Sequence, residues 1–219
     1  MPVEPAPSVW LPPDPRSAGS EDVVAVGADL EPGTVLAAYR HGMFPMHLRD
    51  GRLGWWSPLE RAVLPLDGLR VTRSLRKSCR RYRLTVDEAT REVIDGCADP
   101  VRRPDVWITD QFRATYLALY ELGWVHSVEV WAGEGDLAGG LYGVGIGALF
   151  CGESMFSRQR DASKVALMHL VSILARVPEA MLDVQWVTPH LATLGAVAIG
   201  REEYLRRLPA AIAARSPWS

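Results

Sequence analysis

The stretch FCGESMFSRQRDASKVAL, Phe150 to Leu167, changes its period halfway along. Through LFCGESMF it reads as a strand thinned by glycine, with one carboxylate, Glu153, set between Gly152 and three small or apolar residues. After Ser157 the spacing becomes helical. Leu167, Leu170, Val171 and Leu174 form an apolar stripe, Asp161 or Ser163 supplies the cap, and Pro178 lies beyond the end. A strand feeding a helix, with further strands on either side, makes the chain a mixed α/β (α+β) protein.

Upstream, TDQFRATYLALYELG (Thr109 to Gly123) opens on a capping residue, carries apolar side chains at Phe112, Tyr116, Leu119 and Tyr120, and closes on glycine, which predicts a helix. WVHSVEVWA then alternates, with Val125, Ser127, Glu129 and Trp131 on one face and His126, Val128 and Val130 on the other. The turn GEGD, Gly133 to Asp136, joins it as a hairpin to a glycine-thinned segment. Gly143, Gly145 and Ala148 match the spacing of a dinucleotide-binding loop, but strand-like residues follow and no acid lies between Ala162 and Pro178, which argues against that loop. Glycines in such a strand mark bulges or close approach by another group.

Downstream, AMLDVQWV (Ala180 to Val187) is a strand. Period two puts Leu182, Val184 and Trp186 on one face and Asp183 with Gln185 on the other. A carboxylate and an amide on an otherwise apolar strand must be hydrogen-bonded or open onto a polar cavity, because an unpaired buried charge is very unfavourable. Structural pairing is one reading. In the functional one Asp183 holds the Gln185 amide so that its carbonyl accepts from an incoming amine, an amide being too weak a base to deprotonate alone.

The 219 residues, 48% hydrophobic and 23% charged, are enough for one sizeable core plus a small second unit. Residues 1–61 are rich in proline and turns, with a short helix in PGTVLAAYRHG (Pro32 to Gly42), and residues 62–219 carry the mixed α/β pattern. No apolar run reaches the roughly 18 residues of a membrane span, and MPVEPAPSVWLPPDPRSAG lacks the order of a signal peptide, so a cytoplasmic protein without a membrane partner is expected. Cys79, Cys97 and Cys151 form no CxxC pair and the five histidines form no ligand spacing, so neither a metal nor a disulfide is expected. A monomer is the simplest reading.

The net charge of -2 hides a basic run, RVTRSLRKSCRRYR (Arg70 to Arg83), with seven cations and no acid. Arg73, Lys77 and Arg80, and Arg76, Arg80 and Arg83, recur at spacings of three and four, so a helix through them presents one broad basic surface to an anionic partner or to solvent. Nearly all the cations are arginine, which suits phosphate and also fits a bias of genomic composition.

In order along Gly27 to Ala196 stand GADL, AYRHGMFP, WWSPLERAV, WIT, LGWVHSVEVW, GGLYGVGIGALFCGESMFS, ASKVAL, LDVQ and HLATLGA. Together they resemble the leucyl/phenylalanyl-tRNA-protein transferase family. The resemblance implies a small N-terminal domain and a C-terminal domain of the acyl-CoA N-acyltransferase (GNAT-like) type. It also implies transfer of leucine, phenylalanine or methionine from aminoacyl-tRNA to the α-amine of a protein beginning with arginine or lysine, marking it for degradation. No metal or coenzyme is implied. The ester is already activated, so the enzyme mainly orients the amine and stabilises the developing oxyanion.

By the same resemblance, Glu153, Asp183 and Gln185 are the polar centre of the reaction, with Glu153 attracting either the donor's α-ammonium or the acceptor's basic N-terminus. Without it, Glu153 pairs with Arg158 or Arg160. Leu141, Met155, Leu170 and Leu182 stand where the family builds its side-chain pocket. Trp107 matches one tryptophan that stacks on the terminal adenosine. Met46 stands where the family usually has the other, and Trp55 and Trp56 read as wall or core. Arg73, Arg76, Lys77, Arg80 and Arg81 would hold the acceptor stem through phosphates, without reading sequence. An acyl-CoA-dependent N-acyltransferase and a non-catalytic tRNA-binding module are the competing readings. The first meets Asp161 where a pyrophosphate loop has glycine, and the second gives no reason for Glu153 or for Asp183 with Gln185.

Overall fold

The computed structural model describes residues 1–101 and 107–218. A three-stranded antiparallel sheet lies near the N-terminus, made of β1 (Val23–Val26), β2 (Phe44–His47) and β3 (Leu53–Trp56) in the order β1-β3-β2. Helix α1 (Pro32–Arg40) begins on a proline whose fixed φ suits a first turn and buries Val35, Leu36, Ala38 and Tyr39. Gly42, at φ +83°, turns the chain from it into β2.

The second sheet has seven strands: β4 (Glu60–Val63), β5 (Arg83–Val86), β6 (Val125–Ala132), β7 (Asp136–Ile146), β8 (Leu149–Ser157), β9 (Met181–Gln185) and β10 (Val197–Gly200). Their order is β10-β4-β9-β8-β7-β6-β5, and only β8 and β9 run parallel. Strand β4 starts two residues ahead of the expected second unit, so Arg61 belongs to this sheet.

Helices cover both faces. Leu75 of α2 (Arg73–Cys79) and the stripe of α5 (Ala162–Leu174) pack with Val128, Leu141, Phe150 and Leu182. Across the sheet, α3 (Thr90–Cys97) and α4 (Asp110–Glu121) pack with Val125, Tyr142, Val144 and Cys151. Two glycines of β7 allow this closeness. A Cβ on Gly139 would stand 2.7 Å from Ala162 Cβ, and one on Gly140 3.0 Å from Val93 Cγ2. These glycines serve helix packing. The chain ends in α6 (Pro189–Leu194) and α7 (Arg201–Ala213), and buried Arg201 ties α7 to the N-terminal segment through the carbonyls of Ser57 at 2.7 Å and Gly19 at 3.1 Å.

Two sequence expectations change. Helix α2 stops at Cys79, so the basic run is not one helical face: Arg80 and Arg81 lie in the turn beyond it, and Arg83 is on β5, paired with Glu88 at 3.4 Å and over the Trp131 ring at 5.2 Å. Asp161 precedes α5 in the left-handed region at φ 63°, but its carboxylate makes no cap hydrogen bond; it accepts from Ser78 Oγ at 2.9 Å and Lys164 Nζ at 3.4 Å.

Candidate active site

Strands β8 and β9 are paired only from Leu149 with Met181 to Cys151 with Asp183. Both then leave register with their outer neighbours. On β8, Glu153 is the extra residue between the pairs Gly143 with Gly152 and Tyr142 with Ser154. On β9, Val184 is the extra residue between Val63 with Asp183 and Ala62 with Gln185, and Gln185 takes φ 60°. Bulges bend a strand and re-aim its side chains. Where the two strands part lies a cavity of about 490 Å³, lined by both of them and by β2 and α5.

The cavity has two unlike walls. On the α5 side stand Leu141, Met155, Leu170 and Leu182, joined by Leu167 and Leu191. All four expected side-chain pocket residues are therefore together. Toward β2 the lining is aromatic, with Phe44, Trp186 and Trp107 beside Met46. Glu153 and Gln185 also line the cavity, and Glu153 is the one carboxylate among its described lining residues.

Glu153 is held by neutral donors. Tyr39, from α1, donates to its Oε1 at 2.7 Å, and Tyr116, from α4, donates to its Oε2 at 2.8 Å. The two phenol oxygens are 3.1 Å apart, and Gln185 Nε2 donates to Oε1 at 3.5 Å. Burial pushes the Glu153 carboxyl up to about 7, against the lowering effect of the two tyrosine hydrogen bonds. Burial and the neighbouring Glu153 charge hold both phenols well above their ordinary range, so they remain donors. The expected arginine partners are turned elsewhere. Arg158 donates to the Leu137 carbonyl at 3.4 Å and lies over the Phe156 ring, while Arg160 faces Asp161 at 3.6 Å.

Asp183 is placed differently from the period-two expectation. It is fully buried and does not line the cavity. Arg61 grips it with Nε to Oδ1 at 2.9 Å and Nη2 to Oδ2 at 2.6 Å, and Tyr204 donates to Oδ2 at 2.8 Å. Burial opposes the charge of Arg61, but Asp183 outweighs it and raises the guanidinium above its usual range. Asp183 also accepts from the backbone N–H of Gln185 at 2.9 Å, whereas the Gln185 amide reaches Glu153. The bulge at Val184 is the reason: it breaks the alternation, so Gln185 joins Leu182, Val184 and Trp186 on the cavity while Asp183 faces inward.

Tyr39, Tyr116 and Arg61 were not legible as site residues, since each reads as helix core or a surface cation in sequence. The nearest signal was a tyrosine in the apolar stripe of each helix, whose hydroxyl needs a partner when buried. Trp55 is fully buried and stacks on Trp10 at 4.8 Å; Trp56 is partly buried. Arg73, Arg76, Lys77, Arg80 and Arg81 are all exposed, on and just after α2, which packs against α5. Among the described residues no group of three His, Cys, Asp or Glu is placed to hold a metal ion, and no helix is long and apolar enough to cross a membrane.

The leucyl/phenylalanyl-tRNA protein transferase family model matches residues 63–209, and the model of that family's N-terminal domain matches residues 28–59. Proteins named leucyl/phenylalanyl-tRNA--protein transferase are similar over most of the chain. That of Ruegeria pomeroyi is 49% identical over 187 residues, 84% of this chain and 87% of the relative. That of Stutzerimonas stutzeri is 49% identical over 189 residues, 85% and 83%. Among solved structures, a Bacteroides thetaiotaomicron protein of unknown function aligns at a TM-score of 0.40 and 16% identity over 71% of this chain and 55% of that one, too distant to carry an argument. With both family models matched in order and relatives of this closeness along nearly the whole chain, the protein belongs to the leucyl/phenylalanyl-tRNA protein transferase family of aminoacyltransferases.

Proposed function

We propose that the cavity receives the aminoacyl end of leucyl-, phenylalanyl- or methionyl-tRNA and that the chain transfers that residue to the α-amine of a protein beginning with arginine or lysine, marking it for degradation. One observation carries this reading: Glu153 and Gln185 face the same cavity as a wall of leucines and Met155. The apolar wall suits an unbranched or γ-branched side chain, and flexible methionine tolerates both leucine and phenylalanine.

In this reading the acceptor ammonium loses a proton and its nitrogen attacks the ester carbonyl. The C–N bond forms, the bond to the ribose oxygen breaks, and that oxygen recovers a proton. Glu153, poised near neutrality, is matched to take the amine proton. Gln185 donates its amide N–H to Glu153, which leaves its carbonyl end to accept from the amine. Asp183 acts through Gln185 as a positioning residue, by fixing the backbone that carries it. No coenzyme is invoked, because the ester brings its own activation.

The exposed cations Arg73, Arg76, Lys77, Arg80 and Arg81 serve as the phosphate-holding surface for the acceptor stem. The larger unit is read as GNAT-like, on a mixed sheet whose one parallel pair opens at the site. The reading sets the chain in the cytoplasm, where charged tRNA is found, as a monomer. The acyl-CoA alternative is disfavoured by the Asp161 carboxylate before α5, which would repel a pyrophosphate.

The test is transfer of labelled leucine or phenylalanine from charged tRNA to two otherwise identical peptides, one beginning with arginine and one with an acidic residue. Transfer to the arginine peptide alone, abolished by ribonuclease treatment of the donor, is expected. Transfer to the acidic peptide overturns the acceptor assignment, and binding of tRNA with no transfer overturns the catalytic one.

A further inference from the structure

The aromatic wall of the cavity is built around Trp186, which the sequence placed only on the apolar face of its strand. Phe44 and Met46 are alternate residues of β2, share one face and both line the cavity. Trp186 packs onto that face. Its ring meets Phe44 at 4.7 Å and 86° and Trp56 at 5.6 Å and 76°. Trp56 is itself fixed, donating its indole N–H to the Met46 carbonyl at 3.0 Å. Trp186 is thus braced by two near-perpendicular rings and still only partly buried on the cavity.

Its backbone position follows from the bulge. Gln185 is left-handed, and the N–H of Trp186 turns back to the Val184 carbonyl at 2.7 Å, so the indole and the Gln185 amide both reach the one cavity. A second partly exposed indole of the lining, Trp107, is braced in the same manner by Phe112 at 5.2 Å and 78° and Tyr116 at 6.3 Å and 89°. Rigid, half-exposed indoles offer π-faces to a planar ring; a thioether such as Met46 does not.

We propose that Trp186, and not Met46, supplies the stacking face for the terminal adenine of the donor, together with Trp107. The assignment rests on the donor reading above. It makes the base subsite independent of Met46 and couples it to the strand that carries Gln185. The aliphatic wall of Leu141, Leu170 and Leu182 is left to the donor side chain.

The experiment uses Trp186→Leu, Trp186→Phe and Met46→Ala in the full chain, with equilibrium dialysis of adenosine 5′-monophosphate beside steady-state transfer from charged tRNA. Trp186→Leu should lose nucleotide binding and raise KM for charged tRNA about tenfold or more, as loss of a stacked base predicts, with kcat changed by less than about twofold. Trp186→Phe, which keeps a π-face and a brace for its neighbours, should retain both. Met46→Ala should bind the nucleotide as the parent does. Undiminished nucleotide binding in Trp186→Leu, equal loss in the leucine and phenylalanine variants, or loss in Met46→Ala instead, overturns the assignment. Nucleotide binding through Trp186 in a chain that transfers nothing supports the base subsite and fails the donor reading. Transfer with nucleotide binding indifferent to Trp186 fails this assignment alone.

Discussion

Glu153 and Asp183 are carboxylates on adjoining strands whose pairing ends at Cys151 with Asp183, and the protein treats them in opposite ways. Asp183 is enclosed, with a guanidinium bridging both oxygens and Tyr204 on one of them. Glu153 faces a cavity and receives hydrogen bonds from uncharged groups, Tyr39, Tyr116 and Gln185. A carboxylate clasped by a buried arginine belongs to the frame. One that lacks a cation in contact, beneath an apolar wall, changes charge near neutral pH and is available for proton transfer. The difference sets Asp183 among the contacts that hold β4, β9 and α7 together and leaves Glu153 as the carboxylate on the cavity, where the proposed transfer would use it.

The sharpest way to break that division is to remove the cation. Arg61→Met leaves Asp183 buried and unpaired and should lower stability by about 3–5 kcal/mol in urea unfolding, with most of the loss recovered in Arg61→Met/Asp183→Leu. A single substitution that unfolds like the parent would show that the pair is not part of the frame. Glu153→Gln should instead lower kcat/KM by about a hundredfold or more, the scale of a lost general base, while the urea midpoint moves little. A variant that unfolds early but transfers normally would exchange the two roles.

Stability against pH separates them further. The folded Glu153 carboxyl keeps its proton to about 7, while its ordinary value is 4.5. Between these values the folded state binds more proton than the unfolded one, so this group's contribution makes stability fall as pH rises through the window. The difference between parent and Glu153→Gln stability should therefore change across that range and be flat above it; a flat difference throughout would place the carboxyl at an ordinary value. The smallest expected effect is at Gln185, whose φ of 60° strains a non-glycine residue. Gln185→Gly should be as stable as the parent or more so by up to about 1 kcal/mol, yet poor in transfer. A marked loss of stability would mean that the amide holds the fold.

These two residues also show how far the sequence could be read. Alternation and capping residues placed α1, α4, α5 and β6 close to where they lie, because each is bounded by proline, glycine or a capping residue or keeps its side chains alternating. Leu141, Met155, Leu170 and Leu182 line one cavity. Period two failed at Asp183 and Gln185 because one inserted residue, Val184, moves the next side chain to another environment, and β9 has no glycine to mark the bulge. Arg61 was hidden for a different reason. An arginine in LERAV reads as exposed until a carboxylate 122 positions away is brought against it by the sheet. The basic run kept its exposure but lost its single helical face once α2 ended at Cys79.

The central claim, that Glu153 is the proton acceptor and Asp183 its structural neighbour, is tested most directly by the pH profile of kcat/KM for transfer from charged tRNA to an arginine-initiated peptide. The parent should show a limb that rises with pH and bends near 7, as the Glu153 carboxyl ionises, and Glu153→Gln should lose that bend while keeping whatever limb the acceptor amine contributes near 8. A bend near 7 that persists unchanged in Glu153→Gln would contradict the account and move the proton to another group.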